Sequence, residues 1–149
     1  MNGERDDTRS TDDSHGAPID FDRLSVVEKR LATDNRFTGI ETQPEFAPDR
    51  IVCHYDLGFY PRRVQGARLE TVWFENGDFS LHYHEEHEDG VFDHRWDRHP
   101  SDHNTRDHVH PGPDAPTPGD DASHPVEWRD VLSMVLGEID NRQRAFWTE

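Results

Sequence analysis

The chain has 149 residues, of which 31% are hydrophobic and 32% charged, and its formal net charge is −16. This length accommodates one domain with a modest core, and the acidity argues against a protein that binds nucleic acid through a broad basic surface. The single cysteine, Cys53, excludes an intramolecular disulfide and a cysteine-based zinc knuckle. Its apolar neighbours indicate a buried small side chain rather than a nucleophile.

The balance of charged residues indicates adaptation to salt. Acidic residues outnumber basic ones two to one, and Lys29 is the only lysine. This composition is typical of proteins from halophilic archaea, in which acidity maintains solubility in brine. At ~1 M salt the Debye length is about 3 Å, so the acidity does not exclude binding to RNA. Without a hydrophobic signal region or an apolar run of about 18 residues, we expect a cytoplasmic protein and no membrane association.

The N-terminal third contains one predicted helix. Residues 1–18 lack periodicity and predict a disordered acidic tail, followed by a single domain at 19–149. Apolar residues at helical spacing then predict a short amphipathic helix over about 20–33: Phe21, Leu24, Val27 and Leu31.

The middle of the chain predicts an antiparallel meander of about four strands, at 50–55, 67–74, from residue 79 onward, and 91–97. The Asn76-Gly77 pair is a strong hairpin signal. In the third strand Ser80, His82 and His84 alternate with apolar residues and so share one face. The sequence leaves open which face of the fourth strand lies beside them.

A His- and Pro-rich loop is expected at about 98–124, followed by a C-terminal helix of about 20 residues with Pro125 in its first position. An apolar stripe on this helix is expected to cover the sheet: Trp128, Val131, Leu132, Val135, Ile139 and Phe146. The predicted fold class is therefore α+β, with an antiparallel sheet of about four strands packed by a long C-terminal helix and a short N-terminal helix.

The run from His94 to His110 is the predicted functional region. It contains three Arg and three Asp among its histidines, so it is neutral when the imidazoles are uncharged. Cleavage of RNA through the 2′-hydroxyl needs a base, an acid and a cation that stabilises the phosphorane. The candidates for proton transfer are His108 with His110, or His99 with His103.

Arginine supplies the phosphate contacts in this interpretation, because its planar fork of donors suits phosphate oxygens. Arg95 and Arg98 are the main candidates, and Arg106 is a third. Asp97, Asp102 or Asp107 could orient an imidazole. Trp96 could stack on a base, although a core position is the more usual one for a strand tryptophan.

Two alternatives use the same histidines differently. The HxH pairs His82/His84 and His108/His110 could ligate a transition metal, because this spacing puts both rings on one face of a strand. The histidines could equally form a salt-tolerant polar surface without catalytic function.

Several segments of the chain resemble the TumE family, whose members are the toxins of small prokaryotic toxin–antitoxin pairs. These segments are residues 55–61, 69–83 and 95–97 and the Pro- and His-rich segment that follows. Two family elements are matched residue by residue: Ser80, His82 and Tyr83, then Arg95, Trp96 and Asp97. The family's His-His doublets are replaced here by spaced histidines, and residues 111–124 resemble an insertion.

The resemblance implies a toxin that acts on RNA or translation and is neutralised by a cognate antitoxin protein. We therefore expect a metal-independent endoribonuclease that uses no cofactor and has RNA as its substrate. Formation of a homodimer is a further expectation. The alternatives are a non-enzymatic protein-interaction module and a His-ligated metal protein.

Overall fold

The computed structural model describes residues 17–45, 48–100 and 106–148. Two α-helices flank seven strands in chain order, and a short 3₁₀ helix (Leu57–Phe59) lies between the second and third strands. Their bounds are α1 (Phe21–Ala32), β1 (Phe37–Gln43), β2 (Arg50–Tyr55), β3 (Val64–Trp73), β4 (Phe79–His87), β5 (Gly90–Arg98), β6 (Asp107–His110), β7 (Asp120–Asp121) and α2 (Trp128–Phe146). The predicted acidic tail falls almost entirely outside the described residues.

The strands form one antiparallel sheet in the order β1-β2-β3-β4-β5-β6-β7, so every strand pairs with its neighbours in sequence. The α+β class is confirmed, but the expected number of about four strands is wrong. The additional strands are β1, whose sequence is mostly polar, and β6 and β7, which lie within the stretch expected to be a loop. Short strands carry too little periodicity to be recognised when neighbouring prolines interrupt the pattern.

Both helices lie close to their predicted positions. Asp20 precedes α1, and its side chain accepts a hydrogen bond from the backbone N–H of Arg23 at 2.9 Å, a typical N-cap. Helix α2 begins later than predicted, because Glu127 rather than a residue before Pro125 occupies its N-cap position. Within the described chain, neither helix is long and apolar enough to cross a lipid bilayer.

The core lies between the two helices and one face of the sheet. Buried residues of α1 and α2 belong to the same hydrophobic cluster as alternate residues of β2 to β5. The strand members of this cluster include Cys53, Leu69, Leu81, Tyr83 and Trp96. Their neighbours along each strand therefore point to the opposite face, which carries mainly polar side chains.

One carboxylate, that of Glu85, is fully buried at the edge of the core. Arg142 of α2 donates two hydrogen bonds to it, at 2.8 and 2.7 Å, and His87 lies 2.7 Å away. Burial alone would raise the pKa of Glu85, but the hydrogen bonds from Arg142, Tyr83 and His87 outweigh burial and lower it. This ion pair fastens the C-terminal helix to β4.

Replacing Arg142 with alanine is expected to destabilise the fold by about 3–5 kcal/mol, because it leaves a buried carboxylate without its cation. Arg50→Ala is the matched control. Arg50 pairs with Asp49 at 3.0 Å on the surface, where an ion pair contributes at most about 1 kcal/mol. Urea unfolding measures both values, and equal losses in the two variants would show that the Glu85 pair does not anchor α2.

Candidate functional site

Strand register decides which residues share the polar face of the sheet. Ser80, His82 and His84 of β4 pair with Asp97, Arg95 and Asp93 of β5, respectively. β6 extends the same face, because His108 pairs with Asp97 and His110 pairs with Arg95. The structure therefore brings most of the predicted histidines, Arg95 and Asp97 together on the face opposite the helices.

The Asp97 carboxylate is the centre of this arrangement, which we call the Asp97 cluster (Arg95, Asp97, His99, His108 and His110). Its Oδ2 atom accepts a hydrogen bond from Arg95 Nε at 2.9 Å. The Nε2 atoms of His99, His108 and His110 lie 3.6, 3.6 and 3.2 Å from the same oxygen. Four nitrogen-bearing side chains thus converge on one carboxylate oxygen.

The members of the Asp97 cluster differ in exposure. The side chains of Asp97, His108 and His110 are at most 4% exposed, whereas those of His99 and Arg95 are 22% and 34% exposed. Only His99 and Arg95 are therefore accessible to a large substrate in this conformation.

Electrostatics keep the central carboxyl group ionised. Burial alone would raise the pKa of Asp97, but the neighbouring imidazoles of His110 and His99, the charge of Arg95 and the hydroxyl of Ser80 outweigh burial and hold the pKa well below its usual range. The same carboxylate raises the pKa of His99. The cluster is thus built around a permanent negative charge.

Backbone carbonyl groups orient two of the rings. His99 Nδ1 lies 2.8 Å from the carbonyl oxygen of Pro100, and His110 Nδ1 lies 2.7 Å from that of Pro116. A carbonyl oxygen only accepts, so both Nδ1 atoms carry the proton. The Nε2 atoms of His99 and His110 then face Asp97.

The segment 111–121 covers His110. A Cβ atom at Gly119 would lie 2.2 Å from the carbonyl oxygen of Val109 and 2.9 Å from His110 Nδ1, so only glycine permits this close approach. β7, at the end of the segment, pairs with β6 through His108 and Asp121. The stretch that resembles an insertion thus packs against His110 and pairs with the strand that carries both predicted catalytic histidines.

A second group lies further along the same face. His82 Nε2 and His84 Nδ1 each lie 2.7 Å from Asp93 Oδ1. Burial alone would raise the pKa of Asp93, but the two imidazoles outweigh it and lower the pKa. The four histidines proposed as an alternative metal set are therefore divided between Asp93 and the Asp97 cluster.

Arg98 does not join the Asp97 cluster. It alternates to the helix-covered face, where it donates hydrogen bonds to Asp107 at 2.6 and 3.1 Å and lies over the ring of Phe79. Its Nη2 also donates to the carbonyl groups of His124 and Pro125. These contacts hold the chain just before α2.

The remaining predicted residues have separate positions. Trp96 is buried in the core, and its indole N–H donates a hydrogen bond to Glu138 at 3.1 Å. Its ring is therefore not accessible for stacking on a base. Arg106 forms an ion pair with Asp78. His103 and Asp102 lie outside the described residues.

Sequence reasoning missed two features of the polar face. Asp93 was not proposed as a site residue, although its spacing of two and four residues from Arg95 and Asp97 places all three on one face of a strand. Ser80 was placed on the histidine-bearing face and in the family motif but was not proposed as a site residue, yet its hydroxyl is a hydrogen-bond partner of Asp97.

A cavity of about 250 Å³ lies on the other side of β5, between the sheet and α2. Aromatic and apolar side chains form most of its lining, together with His94, Glu138 and Arg142. His94 Nδ1 accepts a hydrogen bond from the backbone N–H of Gly112 at 3.0 Å, so its Nε2 carries the proton. This Nε2 is buried and has no hydrogen-bond partner among the described residues.

The fold and this polar face define a small α+β protein with a buried carboxylate surrounded by histidine and arginine. The family model described as Toxin TumE matches residues 25–143, most of the chain. The chain therefore belongs to the TumE toxin family, and membership implies a cognate antitoxin. No curated protein and no solved structure gave a significant match.

His94 provides a test of the buried side of the site. Burial, together with the charges of Arg142 and His110, lowers the pKa of His94 to about 4. Long-range ¹H–¹⁵N correlation spectra should show a neutral ring with the proton on Nε2 at pH 7. Because the folded pKa lies below the unfolded value of about 6.5, stability should fall as the pH drops from about 6.5 through about 4.

The variant His94→Gln removes this titration and should show a weaker loss of stability over that pH range. A His94 resonance that titrates with a midpoint near 6.5 in the wild-type protein would contradict the described packing.

Proposed function

We propose that this toxin acts on RNA as a metal-independent endoribonuclease and that the Asp97 cluster is its site. The observation that supports this most directly is the shared carboxylate: Asp97 contacts Arg95, a phosphate-binding residue type, and His99, a proton-transfer residue type, and both remain accessible. They lie on a sheet face that the two helices of the described chain leave uncovered.

The proposed reaction is transesterification through the 2′-hydroxyl. A base takes the proton of the 2′-hydroxyl, and the oxygen attacks the adjacent phosphorus. The bond to the 5′-oxygen breaks, and an acid donates a proton to that oxygen. The products are one fragment that ends in a 2′,3′-cyclic phosphate and one that begins with a 5′-hydroxyl. No oxidant, nucleotide or metal is consumed.

Each accessible residue has a defined role in this proposal. The Arg95 guanidinium binds the phosphate and stabilises the negative charge of the phosphorane. His99 transfers one of the protons. Its ring is held between Asp97 and the carbonyl oxygen of Pro100, to which its Nδ1–H donates a hydrogen bond. The sequence pairs His99 with His103, and we retain His103 as the second proton-transfer residue.

His108 and His110 receive a different role from the one that sequence alone predicts. Both are buried, so we assign them as positioning residues that act through Asp97, which they approach at 3.6 and 3.2 Å. Arg98 is likewise assigned to structure, because Asp107 and two carbonyl groups engage its guanidinium.

The cellular setting follows from the same proposal. RNA and a protein antitoxin are both encountered in the cytoplasm, where we place the toxin. The charge of −16 would repel RNA in dilute buffer, so we propose a salt-adapted enzyme that binds RNA when molar salt screens its surface. Homodimer formation stays a prediction from the sequence.

Arg95→Ala and His99→Ala are expected to abolish growth arrest and to slow RNA cleavage at least about 100-fold, a typical contribution for a phosphate-binding cation or a proton-transfer group. Cleavage is measured on purified protein at low and molar KCl, with detection of cyclic phosphate ends. Circular dichroism verifies that each variant is folded.

His54→Ala is the matched control. His54 is a half-exposed histidine on β2, away from the Asp97 cluster, and it pairs with Glu41 of β1 at 2.6 Å. Its removal should therefore leave toxicity unchanged. Full toxicity of folded Arg95→Ala and His99→Ala proteins, without RNA cleavage at any salt concentration, would instead identify a non-enzymatic interaction module.

A further inference from the structure

The distances between the imidazoles and the carboxylate of the Asp97 cluster are longer than the usual imidazole–carboxylate hydrogen bond and match those between the ligands of one metal ion. Imidazole–carboxylate hydrogen bonds are about 2.7–2.9 Å long. The three distances from Asp97 Oδ2 to the Nε2 atoms are 3.6, 3.6 and 3.2 Å. Ligands bound tetrahedrally to zinc at about 2.0–2.1 Å are separated from one another by about 3.4 Å, which matches these distances.

The second group on the same face provides an internal comparison. His82 and His84 approach Asp93 to 2.7 Å each, which is the length of an ordinary hydrogen bond. In that group both imidazoles are hydrogen-bonded directly to the Asp93 carboxylate. The ligand atoms of His82, His84 and Asp93 also lie within 4.8 Å of one another, but these shorter contacts distinguish that group from the Asp97 cluster.

The orientation of the rings is also that of metal ligands. His99 and His110 donate their Nδ1 protons to the carbonyl groups of Pro100 and Pro116, so in the neutral rings the Nε2 lone pairs face Asp97. Fixing the distal N–H by a carbonyl group is the usual outer-shell arrangement of metal-bound histidine. His110 Nε2 is buried without a hydrogen-bond partner among the described residues.

We propose that Asp97, His99 and His108 bind one divalent transition-metal ion, with zinc as the representative ion. One ligand atom from each of these residues lies within 4.8 Å of the others. A fourth tetrahedral position is then left for a water molecule. A set of two imidazoles and one carboxylate suits zinc, whereas magnesium and calcium prefer oxygen ligands alone.

This site has a consequence for the proposed function. A bound ion occupies the Nε2 lone pair of His99, which cannot then transfer a proton to or from RNA. Zinc is therefore expected to inhibit cleavage, with chelation restoring it. The inhibition depends on the proposed function, whereas binding of the ion depends only on the geometry of the cluster.

The experiment uses the full chain without a polyhistidine tag, stripped of metal with a chelator and titrated with zinc chloride in a calorimeter. We expect saturable binding of one ion per chain, no binding of magnesium, and visible absorption bands of tetrahedral cobalt when cobalt replaces zinc. His108→Ala should weaken zinc binding at least about tenfold, because loss of a ligand costs at least as much as loss of an outer-shell partner.

His82→Ala is the matched control and should bind zinc normally, since it alters only the group around Asp93. If His108→Ala fails to fold, His99→Ala tests the same site from its accessible edge. Absence of zinc binding, or binding lost in His82→Ala and retained in the cluster variants, would overturn the metal site.

The cleavage assay separates this inference from the proposed function. Inhibition by zinc and recovery with chelator would support both. Zinc binding together with cleavage that requires zinc would support the metal site and overturn the metal-independent reaction. Cleavage without any zinc binding would overturn only the metal site.

Discussion

The Asp97 carboxylate is buried on the polar face of the sheet, and a buried carboxylate requires opposite charge or hydrogen-bond donors around it. Arg95 lies on β5 together with Asp97, and His99 follows the end of that strand. The neighbouring strand β6 carries His108 and His110. This requirement explains why β6 pairs with β5 in a register that places both histidines beside the carboxylate. It also gives segment 111–121 a structural role, because the carbonyl group of Pro116 holds the ring of His110.

The two faces of the sheet differ in packing and in chemistry. On one face the helices cover an apolar core, and the Glu85–Arg142 pair anchors α2 to β4. On the other face, Arg95 and His99 remain partly accessible, and among the described residues the segment 111–121 lies against His110. Variants of the exposed residues on the polar face are therefore expected to cause little loss of core packing. Asp97, His108 and His110 are the exceptions, since all three are buried as well as members of the cluster.

Local periodicity was sufficient to predict much of this architecture. The alternation of Phe79, Leu81 and Tyr83 with histidine predicted the two faces of β4, and helical spacing predicted α1 to within about one residue at each end. The strand register, the positions of β6 and β7 and the burial of His108 depend on pairing between strands, which a single sequence does not specify. Arg98 shows the same limit: the sequence placed it at the start of the loop, and its engagement by Asp107 depends on the pairing of β5 with β6.

The central claim is that RNA binds the polar face around Asp97, and a chemical-shift titration tests it most directly. The full chain is titrated in molar KCl with a short RNA whose 2′-hydroxyls are methylated, which prevents transesterification. We predict that the largest changes occur at Arg95, His99 and Ser80, with small changes along α1 and α2. Changes confined to the helices, with an unperturbed Arg95 side chain, would contradict the assignment of this face as the RNA-binding site.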